Sequence, residues 1–276
     1  MLFLRNYAME RFLERLSASK YRNCFILKGG MLISAMVGID SRATMDIDTT
    51  LRNYALNCES AEQIVRQIAD VEIDDKISFV IKKTEEIMED SEYRGVRLSL
   101  DAYLDKTRIP LKIDISTGDV ITPCEISFSY QLMFENRTIP LLAYPPETVL
   151  AEKLETILSR GEANTRLRDF YDVYILQRED FVVTPDALCH ALLATCRKRG
   201  HEDLLHTYAS ILDRVRQSDT MRTQWMKYQS DFDYAAGITW DTVLDTVETL
   251  CMKTLDDHAF GDELPQEKSQ FEMHLL

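Results

Sequence analysis

The chain has 276 residues, enough for one large domain or two modest ones and for a sizeable core. Apolar residues make up 45% and charged residues 28%, ordinary globular usage that excludes disorder over most of the length. The net charge is −14, so the field of the whole protein repels phosphate, and a nucleic-acid partner needs a local basic patch or bound metal ions.

Six cysteines (Cys24, Cys58, Cys124, Cys189, Cys196, Cys251) include no CxxC pair and read as ordinary thiols in a reducing compartment. The N-terminus MLFLRNYAMERFLERL carries charges too early for a secretory signal. No uncharged apolar run approaches the roughly 18 residues of a membrane span. The expected location is cytoplasmic, with no membrane contact.

Residues 2–18 read as a helix, with Leu4, Tyr7, Ala8, Phe12 and Leu16 at helical spacing. It starts without a cap signal, which suggests missing upstream sequence. A short apolar run from Cys24 to Leu27 ends at Lys28-Gly29-Gly30, and a helix over about 31–37 is closed by Gly38. Asp46-Ile47-Asp48-Thr49-Thr50-Leu51 alternates like a strand. A helix is expected over 59–69, then strands over 77–83, 96–103 and 109–116, the last two joined by a hairpin-length link. After about residue 140 the texture changes. Tyr144-Pro145-Pro146-Glu147 is a helix start, and helices are expected near 146–159, 166–178, 185–199, 202–217, 219–231 and 239–255. The acidic tail from about residue 256 has little pattern. The first half is therefore α+β and the second nearly all α.

On a strand, Asp46 and Asp48 share one face while Ile47 points to the other. Two carboxylates that close repel unless a cation lies between them, although a lone DxD is often just a solvated strand end. Lys112 and Asp114 share a face of a later strand, opposite Leu111, Ile113 and Ile115, and supply a possible third carboxylate. Oxygen ligands at this density suit Mg²⁺ or Mn²⁺ rather than zinc. Gly29-Gly30 before a helix allows close backbone approach, and a helix N-terminus attracts anions.

Other motifs carry less. His201-Glu202-Asp203-Leu204-Leu205-His206 has one residue too many for HExxH. Phe170, Tyr171 and Tyr174 read as packing. Arg160, Arg166 and Arg168, with Arg197-Lys198-Arg199, are the basic concentrations available to an RNA backbone.

The order of a Gly-Gly turn, an Asp-x-Asp strand and a later strand Asp resembles the nucleotidyltransferase superfold of DNA polymerase β-like enzymes. Residues 7–50, 93–119 and 144–176 resemble the AbiEii/AbiGii toxin family of nucleotidyltransferases. Its (S/T)-x-D-x-D motif falls on Thr44, Asp46 and Asp48, and its K-x-D motif on Lys112 and Asp114. Its helical Glu-Lys falls on Glu152-Lys153, and its Lys-Asp-Phe-Tyr-Asp motif on Arg168-Asp169-Phe170-Tyr171-Asp172. Arg168 replaces the usual lysine, a fork in place of a point charge.

The resemblance implies an α+β protein. A minimal nucleotidyltransferase fold over 1–140, a mixed sheet with flanking helices, is followed by a helical domain over 141–276 that closes the cleft. It implies transfer of a nucleoside monophosphate from an NTP to an acceptor hydroxyl, here a tRNA 3′ end, by a toxin paired with an antitoxin in phage defence. Asp46, Asp48 and Asp114 are the implied ligands of Mg²⁺ or Mn²⁺. Lys153 and Asp172 join them as catalytic residues, and Lys28, Gly29, Gly30, Thr44, Lys112, Arg168 and Asp169 as nucleotide-binding residues. A protein-modifying transferase and a catalytically silent nucleotide-binding module remain alternatives. The NTP, the acceptor and the oligomeric state are not legible.

Overall fold

A computed structural model describes residues 2–88, 94–178 and 183–256. Helix α1 (Leu2–Ala18) leads to strand β1 (Phe25–Lys28), α2 (Gly29–Val37), β2 (Asp46–Leu51) and α3 (Cys58–Ala69). A meander follows: β3 (Ile77–Met88), β4 (Arg94–Leu104) and β5 (Thr107–Ser116), then β6 (Ile126–Gln131) and β7 (Thr138–Ala143). The rest is helical: α4 (Pro146–Arg160), α5 (Leu167–Leu176), α6 (Pro185–Arg199), α7 (Leu204–Gln217), α8 (Asp219–Asp231) and α9 (Trp240–Leu255). The acidic tail lies beyond Asp256, outside the described residues.

The seven described strands form one mixed sheet in the order β3-β4-β5-β2-β1-β7-β6. The parallel neighbours are β2 with β5 and β1 with β7, and the remaining pairs are antiparallel. Alternation buries Ile47, Ile113 and Ile115, and α1 and α3 pack over the sheet beside β5, β7, β3 and β4. Local chemistry starts these elements where the sequence places them. Asn57 and Ser60 cap α3 reciprocally, and Pro146 opens α4. Asp105 supplies the left-handed residue of the β4–β5 turn, with φ of 53°.

Three differences from the sequence expectation have physical causes. Strand β3 continues to Met88 because a bulge between Ile81 and Lys83 absorbs the break in alternation at Lys82-Lys83. Strand β6 alternates (ISFSYQ) at the sheet edge but was not among the expected elements. Strand β7 was also unexpected because Pro140 interrupts it. That proline is tolerated because β7 pairs with β1 only at Leu142 and Ala143, so Pro140 faces β6 alone. The sheet thus runs past residue 140.

One continuous apolar core extends from Ala8 on α1 to Leu255 on α9. Helix α4 packs against α5, α6 and α7, and α5 reaches back to α2. No described helix is long and apolar enough to cross a membrane.

Candidate active site

The cleft floor is a row of side chains across four strands. In register, Lys28 of β1 stands opposite Asp48 of β2, Asp48 opposite Asp114 of β5, and Asp114 opposite Arg97 of β4. Asp46 stands two residues before Asp48, opposite Lys112. Residues directly opposite in a ladder share a face, so the three aspartates lie on one side of the sheet. All three line a cleft of about 1390 Å³. That exceeds the roughly 300–1,000 Å³ of ordinary small-ligand pockets.

The Gly29-Gly30 turn is shaped by this floor. Gly29 has φ of +65°, and a Cβ there would lie 2.1 Å from Asp48 Oδ2. A Cβ on Gly30 would lie 2.6 Å from Thr44 Oγ1. The glycines therefore make room for Asp48 and Thr44 themselves, and the Gly30 N–H donates to Asp48 Oδ2 at 3.3 Å. The N-terminus of α2 opens beside these carboxylates.

Helices α4 and α5 form the opposite wall. Lys153 Nζ lies 2.5 Å from Asp169 and 3.1 Å from Asp172. Arg42, from the loop before β2, donates through Nε to Asp172 at 2.6 Å. Burial disfavours the Lys153 ammonium, but the two aspartates outweigh it and hold the group charged above the usual lysine range. Burial likewise pushes the Asp172 carboxyl up, and Arg42 and Lys153 bring it below its ordinary value. One Asp169 oxygen, Oδ2, is buried and has no hydrogen-bond partner.

The fit of a divalent cation rests on the donors. Asp46 and Asp48 offer hard carboxylate oxygens at the cleft floor, the chemistry Mg²⁺ and Mn²⁺ prefer. Asp114 lies in the same row, but Arg97 holds it through Nε–Oδ1 at 2.8 Å and Nη2–Oδ2 at 2.6 Å. Among the described residues no three acidic, His or Cys side chains converge closely enough to hold a metal. The ligand types fit, and completing the trio requires Asp114 to leave its arginine.

Comparison with known proteins decides the family. The family described as "Nucleotidyl transferase AbiEii toxin, Type IV TA system" matches residues 11–246. The chain belongs to this family. Its fold is similar to a protein from H. pylori assigned as a nucleotidyltransferase, with TM-score 0.51 and 14% identity over 93% of this chain and 97% of that one. It is also similar to JHP933 from Helicobacter pylori, with TM-score 0.50 and 14% identity over 93% and 94% of the two chains. At that identity the likeness concerns the fold. No curated protein matches the chain in sequence.

In this AbiEii-family nucleotidyltransferase, Lys28, Gly29, Gly30, Thr44, Asp46, Asp48, Asp114, Lys153, Arg168 and Asp169 all line the cleft. Two expected site residues do not. Lys112 shares the aspartates' face of the sheet opposite Asp46, but it is exposed and lies one step along β5 beyond the residues that line the cleft. Asp172, expected on the cleft wall, is 0% exposed and lies behind Lys153, where Arg42 draws it into the interior. Lys28 lines the cleft but its ammonium also meets Asp119 at 2.9 Å. Asp119 accepts from Ser116 Oγ at 2.6 Å and Tyr144 OH at 3.0 Å, and from Thr50. Burial opposes its charge, yet Lys28 and the hydroxyls hold it well below the usual carboxylate range.

Sequence reasoning missed Arg42, Arg97 and Asp119, each an ordinary charged residue until its partner is known. It also missed a cluster on the helical wall. The buried Glu155 takes Arg199 and lies 2.6 Å from His201 Nδ1. Arg199 is thus turned toward α4, and Arg197 pairs with Glu202 at 3.0 Å. The Arg197-Lys198-Arg199 run is not one uniform basic face. Arg168 is exposed at the rim, 5.7 Å above the Phe232 ring. Phe170 and Tyr171 are buried packing residues.

Proposed function

We propose that this toxin nucleotidyltransferase moves a nucleoside monophosphate from an NTP to the 3′ end of a tRNA, with Mg²⁺ or Mn²⁺ as cofactor. The observation that carries the reading is the in-register row Lys28–Asp48–Asp114–Arg97, with Asp46 beside it, on the floor of a cleft walled by Lys153. In this reading residues 1–140 carry the carboxylates, and the helical region from α4 onward supplies the closing wall.

Asp46 and Asp48 would hold the cation, with Asp114 joining them. A cation held there would supply Lewis acidity at the reacting phosphate and the attacking hydroxyl. The α2 N-terminus, whose Gly30 N–H is held by Asp48, presents the positive end of its dipole to phosphate oxygens. Lys153, kept charged by Asp169 and Asp172, offsets charge on the triphosphate. Asp172 and Arg42 act through Lys153 by fixing its position. The acceptor hydroxyl gives its proton to solvent water, its oxygen bonds to the α-phosphorus, the bond from that phosphorus to the α–β bridging oxygen breaks, and pyrophosphate leaves. Arg160, Arg166 and Arg168 line the same cleft and offer cations to an RNA backbone despite the net charge of −14.

The biological reading is growth arrest in phage defence in the cytoplasm, restrained by an antitoxin. The deciding experiment incubates the protein with each labelled NTP, Mg²⁺ and total tRNA. Label on tRNA 3′ ends supports the reading. Label on protein moves the acceptor class to a protein hydroxyl, and no transfer with any NTP overturns the proposed reaction.

A further inference from the structure

Both Asp114 oxygens are committed to one guanidinium fork, at 2.8 and 2.6 Å from Arg97. Such bidentate pairs are among the stronger charge-assisted contacts, and a guanidinium at that distance also repels an incoming cation. Beyond Asp114, two further carboxylates act on Arg97, Asp46 and Glu85. In the β3–β4 ladder Glu85 stands directly opposite Arg97, just as Asp114 does in the β4–β5 ladder. The two residues therefore flank the arginine from neighbouring strands, whose backbones run about 4.8 Å to either side. Glu85 pairs with Lys83 at 2.6 Å, and its side chain is 39% exposed. The Arg97 side chain is 35% exposed at the end of the cleft floor, so it has room to change rotamer.

We propose that Arg97 is a positioning residue that exchanges between Asp114 and Glu85. It holds Asp114 back from a divalent cation in the free enzyme and yields it when the cation arrives with the nucleotide. The inference rests on the metal-dependent reading above. The cation then sees an affinity reduced by the fraction of molecules in which Asp114 is held, as for any ligand of a partly populated state. The three aspartates share a face yet stay apart because an internal cation already satisfies one of them.

The test is Mn²⁺ binding to the full chain, followed by the paramagnetic resonance signal of free Mn²⁺, with and without a non-hydrolysable NTP. Wild type is compared with Arg97→Lys, Arg97→Gln and Glu85→Gln. Arg97→Lys keeps the charge but loses the fork, and should bind Mn²⁺ about three- to tenfold more tightly, nearly matching Arg97→Gln. Glu85→Gln removes the second resting place and should weaken binding by a similar factor. If Arg97→Lys binds like wild type, charge alone governs the site and the exchange is overturned. Equal affinity in all four proteins also overturns it while leaving the metal reading intact. No saturable binding in any protein, even with nucleotide, overturns the metal reading and this inference with it. Circular dichroism and thermal melts confirm folding, and Arg97→Lys decides the matter if Arg97→Gln fails to fold.

Discussion

At Asp48 a backbone N–H, a glycine turn and a second carboxylate meet. Gly30 donates to its Oδ2, Gly29 leaves space for it, and Asp114 faces it across the strand pair. Asp48→Asn keeps the shape and removes one of three carboxylate charges crowded on one face of the sheet. Transfer should fall by at least about two orders of magnitude, the scale of losing one aligned electrostatic contact. The melting temperature without metal should hold or rise, and Mn²⁺-dependent stabilisation should vanish. Wild-type activity in this variant would refute the role given to Asp48. Glu10 offers a separate test away from the cleft. Burial pushes its carboxyl up to about 7, although the Met133 N–H donates to both oxygens at 3.0 and 3.1 Å. The folded protein thus keeps a proton that the unfolded chain loses near 4.5. Its contribution to stability is complete below that value and is lost as pH rises through about 7. Urea unfolding of wild type and Glu10→Gln across this window should diverge by up to about 1.4 kcal/mol per pH unit. Parallel stability curves would show that Glu10 is ionised throughout.

At the scale of elements, the junction between the sheet and the helices is polar at its centre. Arg42, 1% exposed, meets Asp172, 0% exposed, at 2.6 Å. Tyr171 OH donates to the Ser41 carbonyl at 2.6 Å. The loop between α2 and β2 is thereby fastened to α5, and Lys153 on α4 is aimed by the same aspartate. Removing Arg42 leaves the buried Asp172 with Lys153 as its remaining cation, so Arg42→Met should cost up to about 3 kcal/mol, the low end for a broken buried pair. Pairing it with Asp172→Leu should recover a large part of that loss. Chemical denaturation measures both, and additive effects would show that the two residues are not coupled. The doubly substituted protein should still transfer poorly, because Lys153 then keeps only Asp169.

For the molecule as a whole, net charge and cleft charge pull in opposite directions. A chain at −14 has no general attraction for RNA, so any contact must be local, at the rim carrying Arg160, Arg166 and Arg168. Arg166→Glu should weaken tRNA binding while leaving NTP binding nearly intact. Binding should fall with salt at about −0.7 per phosphate for a single strand, or roughly −1.5 to −3.5 overall for two to four contacts across single-stranded and duplex backbone. Filter binding across a salt series measures this. Unchanged affinity in the variant would remove this rim from the interface, and no tRNA binding at low salt would favour a protein acceptor.

The sequence by itself determined the alternation of Asp46 and Asp48, the parallel phase of Lys112 and Asp114, the glycine turn and the run of helices after Tyr144. These follow from strand and helix periods and from turn chemistry, which act within a few residues and are visible in linear order. Pro140 and the Lys82-Lys83 break concealed strand segments because only a neighbouring strand shows whether a proline or a bulge is tolerated. The tertiary structure alone decided which charges the site can use. Arg97 and Asp114 are 17 residues apart, Lys28 and Asp119 are 91, and Arg42 and Asp172 are 130. The first pair is fixed by register across the β4–β5 hairpin, the other two by packing between elements far apart in the chain. No local signal separates such a residue from a solvated one, because a buried charge is defined by what surrounds it rather than by what precedes it in the chain.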